Sequence, residues 1–369
     1  MTAHAPHSAR RTPSRSAAQP AAAPAPEGPA PQASRRSASS FLRRPETGAL
    51  MGTVTVFIFF AIFGGAQFLT TGGVASWLNI AAELAIIALP VALLMVAGAF
   101  DLSVGSVVAG SSVTLAVVSG TYGMPIIVGI LAALAVGAIT GFVNGFIVVR
   151  TSVHSFIVTL ATQFALAGLT LGLARVLTGS TSVSLSPDPF WKSAFGTLIN
   201  GQFEVAIFWA IGIALVVAWV LQMTKFGNWI FATGGDNLSA RAAGIPVAKV
   251  KISLFVASGL GAALVGIIQT MLYNGAQTGT GQSFVFNSIV AVVVGGVLLT
   301  GGYGSVIGVM LGCLTFAIVN QGIYYTGWNS DWAALILGIL LLAAVLMNNT
   351  FRKLALSSGA PKTTTRKGH

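Results

Sequence analysis

Long apolar runs separated by short polar breaks fill the chain from residue 49 to residue 350. A helix that crosses a bilayer needs about 20 mainly apolar residues. We therefore predict about ten transmembrane helices, near 49–69, 78–99, 103–120, 124–149, 154–177, 203–223, 250–272, 285–301, 304–325 and 331–350. The eighth run is short, which favours a broken or tilted helix. The predicted fold class is all-α, a polytopic helical membrane protein.

The two ends of the chain differ from this apolar body. Residues 1–47 are rich in Ala, Pro, Ser and Arg, and they contain too few large apolar side chains to form a core. We predict a disordered, basic cytoplasmic tail there, with an organelle transit peptide as the alternative. We predict a transmembrane domain over 48–351 and a second basic cytoplasmic tail over 352–369.

Basic residues collect on one side of the predicted helices. With a cytoplasmic N-terminus, all of the 19 lysines and arginines except Arg175 and Lys192 fall on the cytoplasmic side. Membrane proteins carry this excess in their cytoplasmic loops. We therefore predict an even number of spans, both termini in the cytoplasm, and a location in the plasma (inner) membrane.

The composition supports the membrane assignment and excludes other classes. Charged residues make up 7% of the chain, against about 25% in soluble domains, and the mean hydropathy is +0.84. The net charge of +11 is explained by the lysines and arginines collected on the cytoplasmic side, so no nucleic-acid partner is expected. A single cysteine, Cys313, excludes an intrachain disulfide and a cysteine metal cluster.

A carboxylate lies in the break between the second and third runs, within VAGAFDLSVGSVV at 96–108. An acid between membrane helices is costly and needs a structural or transport reason. Asp101 and Ser103 can satisfy free amides at the start of the next helix, and Gly105 permits close packing. Polar residues in the apolar runs either line a wet path for a neutral solute or bond helices together. The candidates for a translocation path or helix break are Asp101, Ser103, Gly105, Asn144, Asn274 and Asn287.

Other chemistry is weakly represented. Glu83 lies inside the second apolar run, where it either relays protons or is paired with another group within the protein. No metal-ligand spacing, catalytic Ser/His/Asp set or Gly-Lys-Ser/Thr phosphate loop occurs. We therefore predict no enzyme activity, no cofactor and no metal. Small residues recur at helical spacing and predict tight helix packing, at Gly137/Gly141/Gly145, Gly168/Gly172 and Gly304/Gly308/Gly312.

Two long loops stand out. The outer loop, near 178–202, either lies at the membrane surface or receives an external partner. In the inner loop, near 224–250, Gly234–Gly235 breaks the chain and Asp236 or Asn237 caps a short helix. Gly244 ends that helix and Pro246 prevents its continuation. Such a helix is either a docking element or a simple connector.

Four segments in order resemble the permeases of ABC sugar importers of the ribose/xylose/arabinose type. They are FDLSVGS at 100–106, GFVNGFIVVRTSVHSFIVTLAT at 141–162, FATGGDNLSARAAGIPVAKVK at 231–251 and IVAVVVGGVLLTGGYGSVIGV at 289–309. The resemblance implies a permease that pairs with itself or a paralogue in the lipid bilayer. It also implies a cytoplasmic ABC ATPase, where ATP is hydrolysed, and an extracytoplasmic sugar-binding protein.

The same resemblance implies that the inner loop couples the permease to the ATPase. The implied coupling residues are Gly234, Gly235, Asn237, Ala242, Gly244 and Ile245, and Asp236 and Arg241 add charges to the same loop. The chain departs from the family pattern at Ala99–Phe100, at Ala243, and at Val285–Phe286, where a Glu-Leu pair is common.

The expected function is therefore membrane translocation of a monosaccharide within an ABC importer. The alternatives are a permease for branched-chain amino acids or nucleosides, an ion-coupled secondary transporter, and a structural membrane scaffold. The small number of embedded charges favours a neutral solute.

Overall fold

The computed structural model describes residues 45–329, together with residues 332, 335, 338, 339, 342, 343 and 346. Residues 1–44 and 352–369 of the predicted tails lie outside this part, as does most of the tenth apolar run, 331–350. The elements in chain order are α1 Pro45–Phe63, α2 Gly65–Phe68, α3 Thr71–Val96, α4 Val104–Leu115, α5 Ile126–Arg150, α6 Ser155–Thr178, β1 Ser182–Ser184, α7 Pro189–Phe195, β2 Leu198–Ile199, β3 Phe203–Glu204, α8 Ala206–Met223, α9 Lys225–Gly235, α10 Asn237–Ala242, α11 Val247–Leu272, β4 Gly275–Gln277, α12 Phe284–Val294 and α13 Val306–Tyr325.

Eight helices of the described part are long and apolar enough to cross a membrane: α1, α3, α4 with its π-helical continuation Ala116–Thr121, α5, α6, α8, α11 and α13. The predicted polytopic helical fold is confirmed. The helix count of ten and the cytoplasmic termini stay predictions. The central helix is α3, whose residues 81–96 are all buried, as expected of a helix that is apolar on every side.

The first helix begins earlier than the predicted domain boundary at residue 48. Pro45 lies at its start, where a missing N–H costs nothing, and Glu46 is in its first turn. The Ser305 hydroxyl donates to Glu46 Oε1 over 2.6 Å, which ties this helix start to the start of α13. The helix therefore takes up the last three residues assigned to the N-terminal tail.

The eighth run is a broken helix, in agreement with the prediction. Within it, α12 has 11 residues, too few to cross a bilayer alone. Gly296, Gly301 and Gly302 all have positive φ, so the chain turns repeatedly between α12 and α13. Only part of the membrane depth is therefore crossed by α12.

Glycines set the closest helix contacts. A Cβ at Gly137 or Gly141 of α5 would overlap backbone oxygens of α11, and one at Gly312 of α13 would overlap the backbone of α12. These two sets of glycines pack helices together as predicted. The remaining pair, Gly168 and Gly172 of α6, does not, because an added Cβ there has no neighbouring atom within 4 Å among the described residues.

The 26 residues of α11 rise about 1.5 Å each, so this helix runs the length of the bundle and its first and last residues lie at opposite ends. One end carries α9 and α10. The other, here called the strand end, carries β1 paired with β4 and β2 paired with β3, both antiparallel. The predicted outer loop 178–202 is therefore an ordered structure. Asn79 fixes it to α3, since its side chain donates to the Gln202 carbonyl and accepts from the Glu204 N–H.

Candidate functional site

The break between α3 and α4 encloses the carboxylate of Asp101, which is 1% exposed. Its Oδ1 accepts from the N–H and the hydroxyl of Ser103, at 2.9 and 2.6 Å. Its Oδ2 accepts from the Ser258 hydroxyl of α11 at 2.7 Å. These three donors are all neutral. Burying a carboxylate in this way is costly without good hydrogen bonds, and here both oxygens have them.

The hydrogen bonds continue from Ser103 into two further helices. The Asn144 amide of α5 donates to the Ser103 hydroxyl at 2.9 Å, and the Thr162 hydroxyl of α6 donates to Asn144 Oδ1 at 2.6 Å. We call Asp101, Ser103, Asn144, Thr162 and Ser258 the Asp101 network. It joins the start of α4 to α5, α6 and α11, so a movement of any one of these helices changes the others' hydrogen bonds.

The capping prediction at this break is right in part. Asp101 does satisfy the Ser103 amide, but the Ser103 side chain makes no cap and donates to Asp101 instead. Another amide of the first turn, that of Ser106, is satisfied by Gln163 Oε1 of α6 at 2.8 Å. A distant helix therefore does what a local cap was expected to do.

Of the six predicted path residues, the structure brings together Asp101, Ser103 and Asn144. Gly105 lies beside them, where an added Cβ would meet Val285 of α12 and the Gly281 carbonyl. The other two residues take no part in these hydrogen bonds. Asn287 is half-buried on α12 and makes no side-chain hydrogen bond within the described residues.

Asn274 lies at the strand end, far from the Asp101 network along α11. Its φ of 56° turns the chain between α11 and β4, and its side chain accepts from Lys192 Nζ at 2.7 Å. Its carbonyl accepts from the Leu185 N–H. Asn274 is a corner residue there and lines a cavity at the strand end, apart from the Asp101 network, and its place on a translocation path stays a prediction.

At the other end, α10 is capped on both sides. The Asp236 carboxylate accepts from the N–H groups of Leu238 and Ser239, both at 2.8 Å, so Asp236 rather than Asn237 is the cap. These bonds hold the pKa of Asp236 below its ordinary value. After the helix, Gly244 has a φ of 81°, and the N–H of Ile245 bonds back to the Ala240 carbonyl. This is a Schellman motif, and it fixes the helix end.

The glycine pair ends the preceding structure, as predicted. That structure is itself a helix, α9, which Thr224 caps and whose last residue is Gly235; the sequence analysis assigned these residues to a loop. A favourable N-cap and an apolar face toward α8 outweigh the low helix propensity of two terminal glycines.

The α10 segment, residues 236–245, presents most of its surface outward. Asn237, Arg241 and Ala242 are exposed, whereas Ala240 is buried. Leu238 is 78% exposed, and sequence reasoning did not select it. Its signal in the sequence is a large apolar residue two positions after the cap residue of a short, mostly polar helix. A large exposed apolar residue on an ordered helix suits a partner surface.

Gly234 connects this segment to α3. A Cβ at Gly234 would overlap the Val96 carbonyl oxygen at the end of α3, and it would lie 2.6 Å from the Gly302 nitrogen. The Gly302 N–H in turn donates to the same Val96 oxygen at 2.8 Å. The end of α9 therefore rests directly on the end of α3, five residues before Asp101.

A protein-family model described as "Branched-chain amino acid transport system / permease component" matches residues 73–345, well over half of the chain. The chain belongs to this permease family. It is thus the membrane permease component of a transport system, and a multi-pass membrane protein. The matched range contains the Asp101 network, α9, α10 and the strand end.

Three relatives named as sugar import permeases are similar over most of their length. The ribose import permease protein RbsC of Escherichia coli (strain K12) is 34% identical over 72% of this chain and 82% of the relative. The galactose/methyl galactoside import permease protein MglC of the same strain is 32% identical over 84% and 96%. The fructose import permease protein FrcC of Rhizobium meliloti is 30% identical over 84% and 87%.

Proposed function

We propose that this chain is the membrane-spanning permease of an ATP-driven importer for a monosaccharide. The names of the three relatives support the sugar, since each is an import permease for a sugar or its glycoside. The neutral donors around Asp101 also favour an uncharged solute over an amino acid, because no buried cation faces a substrate carboxylate in the Asp101 network.

In this proposal α10 receives the movement of a cytoplasmic ABC ATPase. The single observation that carries it is the seating of α9 on α3 through Gly234, which links an exposed, doubly capped helix to the break at Asp101. ATP binding on the partner pushes α10, and α3 transmits the displacement to the Asp101 network. The chain supplies the route and hydrolyses no ATP.

The remaining partners follow from the same proposal. The strand end faces the outside, where a sugar-binding protein delivers the solute, and both termini are cytoplasmic. A second copy or a paralogue packs against α6, whose Gly168 and Gly172 are open within the described part of the chain. Small residues on an exposed membrane helix allow close approach of another helix.

The test is uptake by vesicles that contain the chain with its cognate ATPase and binding protein. Labelled ribose, galactose and fructose are offered with ATP inside, and leucine is offered in parallel. ATP-dependent uptake of one of the sugars is the expected result. Leucine uptake would favour the amino-acid reading, and sugar uptake driven by an ion gradient without the ATPase would favour a secondary transporter.

Charge reversal on α10 tests the coupling role in the same vesicles. Arg241→Glu places a negative charge on the exposed face of α10, so we expect uptake and stimulated ATP hydrolysis to fall at least tenfold. Arg175→Glu is the matched control, since Arg175 is equally exposed but lies at the end of α6 near the strand end. Equal activity of the two variants would contradict the assignment of α10.

A further inference from the structure

A cavity of about 380 Å³ opens at the strand end of the bundle. It lies between the end of α11, the paired strands β1 and β4, and α4. Side chains that line it include Ser112, Ser184, Gln269, Tyr273, Gln277 and Thr280. Its volume is within the range of small-molecule sites, about 300–1,000 Å³.

The β1–β4 pair forms one wall and holds it in place. Ser182 pairs with Gln277 and Ser184 with Gly275, so these residues share one face of the ribbon. Val183 and Ala276 point to the opposite face and are buried against Val113 of α4 and its neighbours. The apolar packing holds the ribbon in place, and residues of both its faces border the cavity, Val183 and Ala276 as well as Ser182, Ser184 and Gln277.

The chemistry of the lining is neutral and rich in hydrogen-bonding groups. Hydroxyls, carboxamides and the Tyr273 phenol surround the space, and the lining includes no charged side chain. Amide and hydroxyl groups can donate to and accept from sugar hydroxyls, and an aromatic ring packs on the apolar face of a sugar ring. The lining side chains themselves give a charged ligand no counter-ion; Lys192, outside the lining, donates to Asn274 within it.

Gln269 contains a buried polar atom that lacks a partner in the protein. Its Nε2 donates to Glu83 Oε2 at 2.9 Å, while its Oε1 is buried without a hydrogen bond. The bond to Glu83 fixes which end of the amide is occupied and leaves the carbonyl oxygen free as an acceptor. This oxygen is closed off from solvent in the structure, so a ligand hydroxyl supplies the missing donor only after the Gln269 side chain turns toward the cavity.

We propose that this cavity is a binding site for a neutral polyhydroxylated ligand, within a single copy of the chain. The proposal rests on the proposed function for the idea that this ligand is the incoming monosaccharide. Ser184, Gln277 and Thr280 hydrogen-bond the ligand, and Gln269 accepts a further ligand hydroxyl once its side chain has turned toward the cavity. A sugar released at the strand end is held here before it moves toward the Asp101 network.

The experiment measures binding without any partner, so it is separate from the uptake test. The purified full chain is placed in lipid nanodiscs, and saturation-transfer NMR is recorded with D-ribose, D-galactose, D-fructose and L-leucine. We expect transfer to at least one sugar and none to leucine. Ser184→Phe, which fills the cavity, should reduce the transfer at least fivefold, and the nearly isosteric Thr280→Val should reduce it severalfold.

The matched control is Ser186→Phe, because Ser186 is exposed two residues further on and does not line the cavity. It should bind as the unmodified chain does. If the phenylalanine of Ser184→Phe disturbs the β1–β4 ribbon, the smaller change Thr280→Val still tests whether the cavity binds the sugar. The proposal is overturned if no sugar shows transfer, if leucine does instead, or if the Ser184 and Ser186 variants bind alike, whatever the vesicles transport.

Discussion

At the residue scale, Asp101 is held by neutral donors from two distant parts of the chain. The sequence identifies Asp101 and Ser103 because they stand in a polar break. It does not identify Ser258, which lies 157 residues away on α11 and looks like any small residue of a membrane helix. It marks Gln163 as a polar residue within an apolar run, but not its partner Ser106, which is 57 residues distant. Pairings of this kind depend on tertiary packing, which local pattern does not contain.

Removal of the Asp101 carboxylate should destabilise the fold. In Asp101→Ala, the buried donors of Ser103 and Ser258 lose their acceptor, at about 1–3 kcal/mol for each group left unsatisfied. In Asp101→Asn we expect a smaller loss, since the Ser258 hydroxyl can rotate and accept from the new amide. Denaturant unfolding of the purified chain in micelles measures both. Asp188→Ala is the control, because Asp188 is exposed and its side chain makes no cap bond; unfolding of Asp101→Ala at the same denaturant concentration as this control would contradict the role of the network.

The cap of α10 should depend on pH in one direction. The N–H groups of Ser239 and Leu238 lower the pKa of Asp236. A carboxylate with a lowered pKa stabilises the fold above its ordinary pKa, and this contribution is lost as the pH falls through the lowered value. A carbon-13 titration of labelled aspartate in nanodiscs should give a midpoint below 3.8 for Asp236. In Asp236→Asn, this titration is absent while the capping oxygen remains. A midpoint at or above 3.8 would mean that the cap does not form in the membrane.

At the element scale, hydropathy predicts the spanning helices well and the short ones poorly. The eight described spans coincide with predicted runs because their length and apolar content reflect the bilayer directly. The residues of helix α9 were assigned to the inner loop, although the Thr224 cap and tertiary contacts make them helical up to the glycine pair. The β1–β4 ribbon joins segments separated by two spanning helices, so no local signal announces it.

The open face of α6 should lie against a second copy of the chain. We expect Gly172→Cys, in a Cys313→Ala background, to give a disulfide-linked dimer in native membranes under mild oxidation. Gly212→Cys on α8 is the matched control, since an added Cβ there also meets nothing within 4 Å among the described residues. If both variants or neither form the cross-linked dimer, α6 is not the interface between two identical copies.

At the scale of the whole molecule, polar groups follow α4 from one end of the bundle toward the other. The strand-end cavity contains Ser112, the middle of the bundle contains Ser106 with Gln163 and Gln282, and the Asp101 network lies beside the end of α3. The sequence analysis found residues at the Asp101 end of this column, but not Ser106, Ser112 or Gln282, nor their order in space. That order follows from how α4, α6 and α11 pack around one another.

The central claim is that α9 and α10 move the Asp101 break through the contact of Gly234 with Val96. Two adjacent substitutions isolate it. An added methyl group at Gly234 overlaps backbone atoms of α3, whereas the methyl group of Gly235→Ala, one residue later in the same helix, meets no atom within 4 Å in the part of the chain that the structure describes. Both variants leave α10 itself unchanged.

The decisive measurement is sugar-stimulated ATP hydrolysis in vesicles that contain the chain, its ATPase and its binding protein. We predict that Gly234→Ala still binds the ATPase but loses at least tenfold of the stimulated rate, while Gly235→Ala retains the rate of the unmodified chain. If Gly234→Ala hydrolyses ATP and imports sugar at the same rate as Gly235→Ala, the movement does not pass through this contact and the account is wrong.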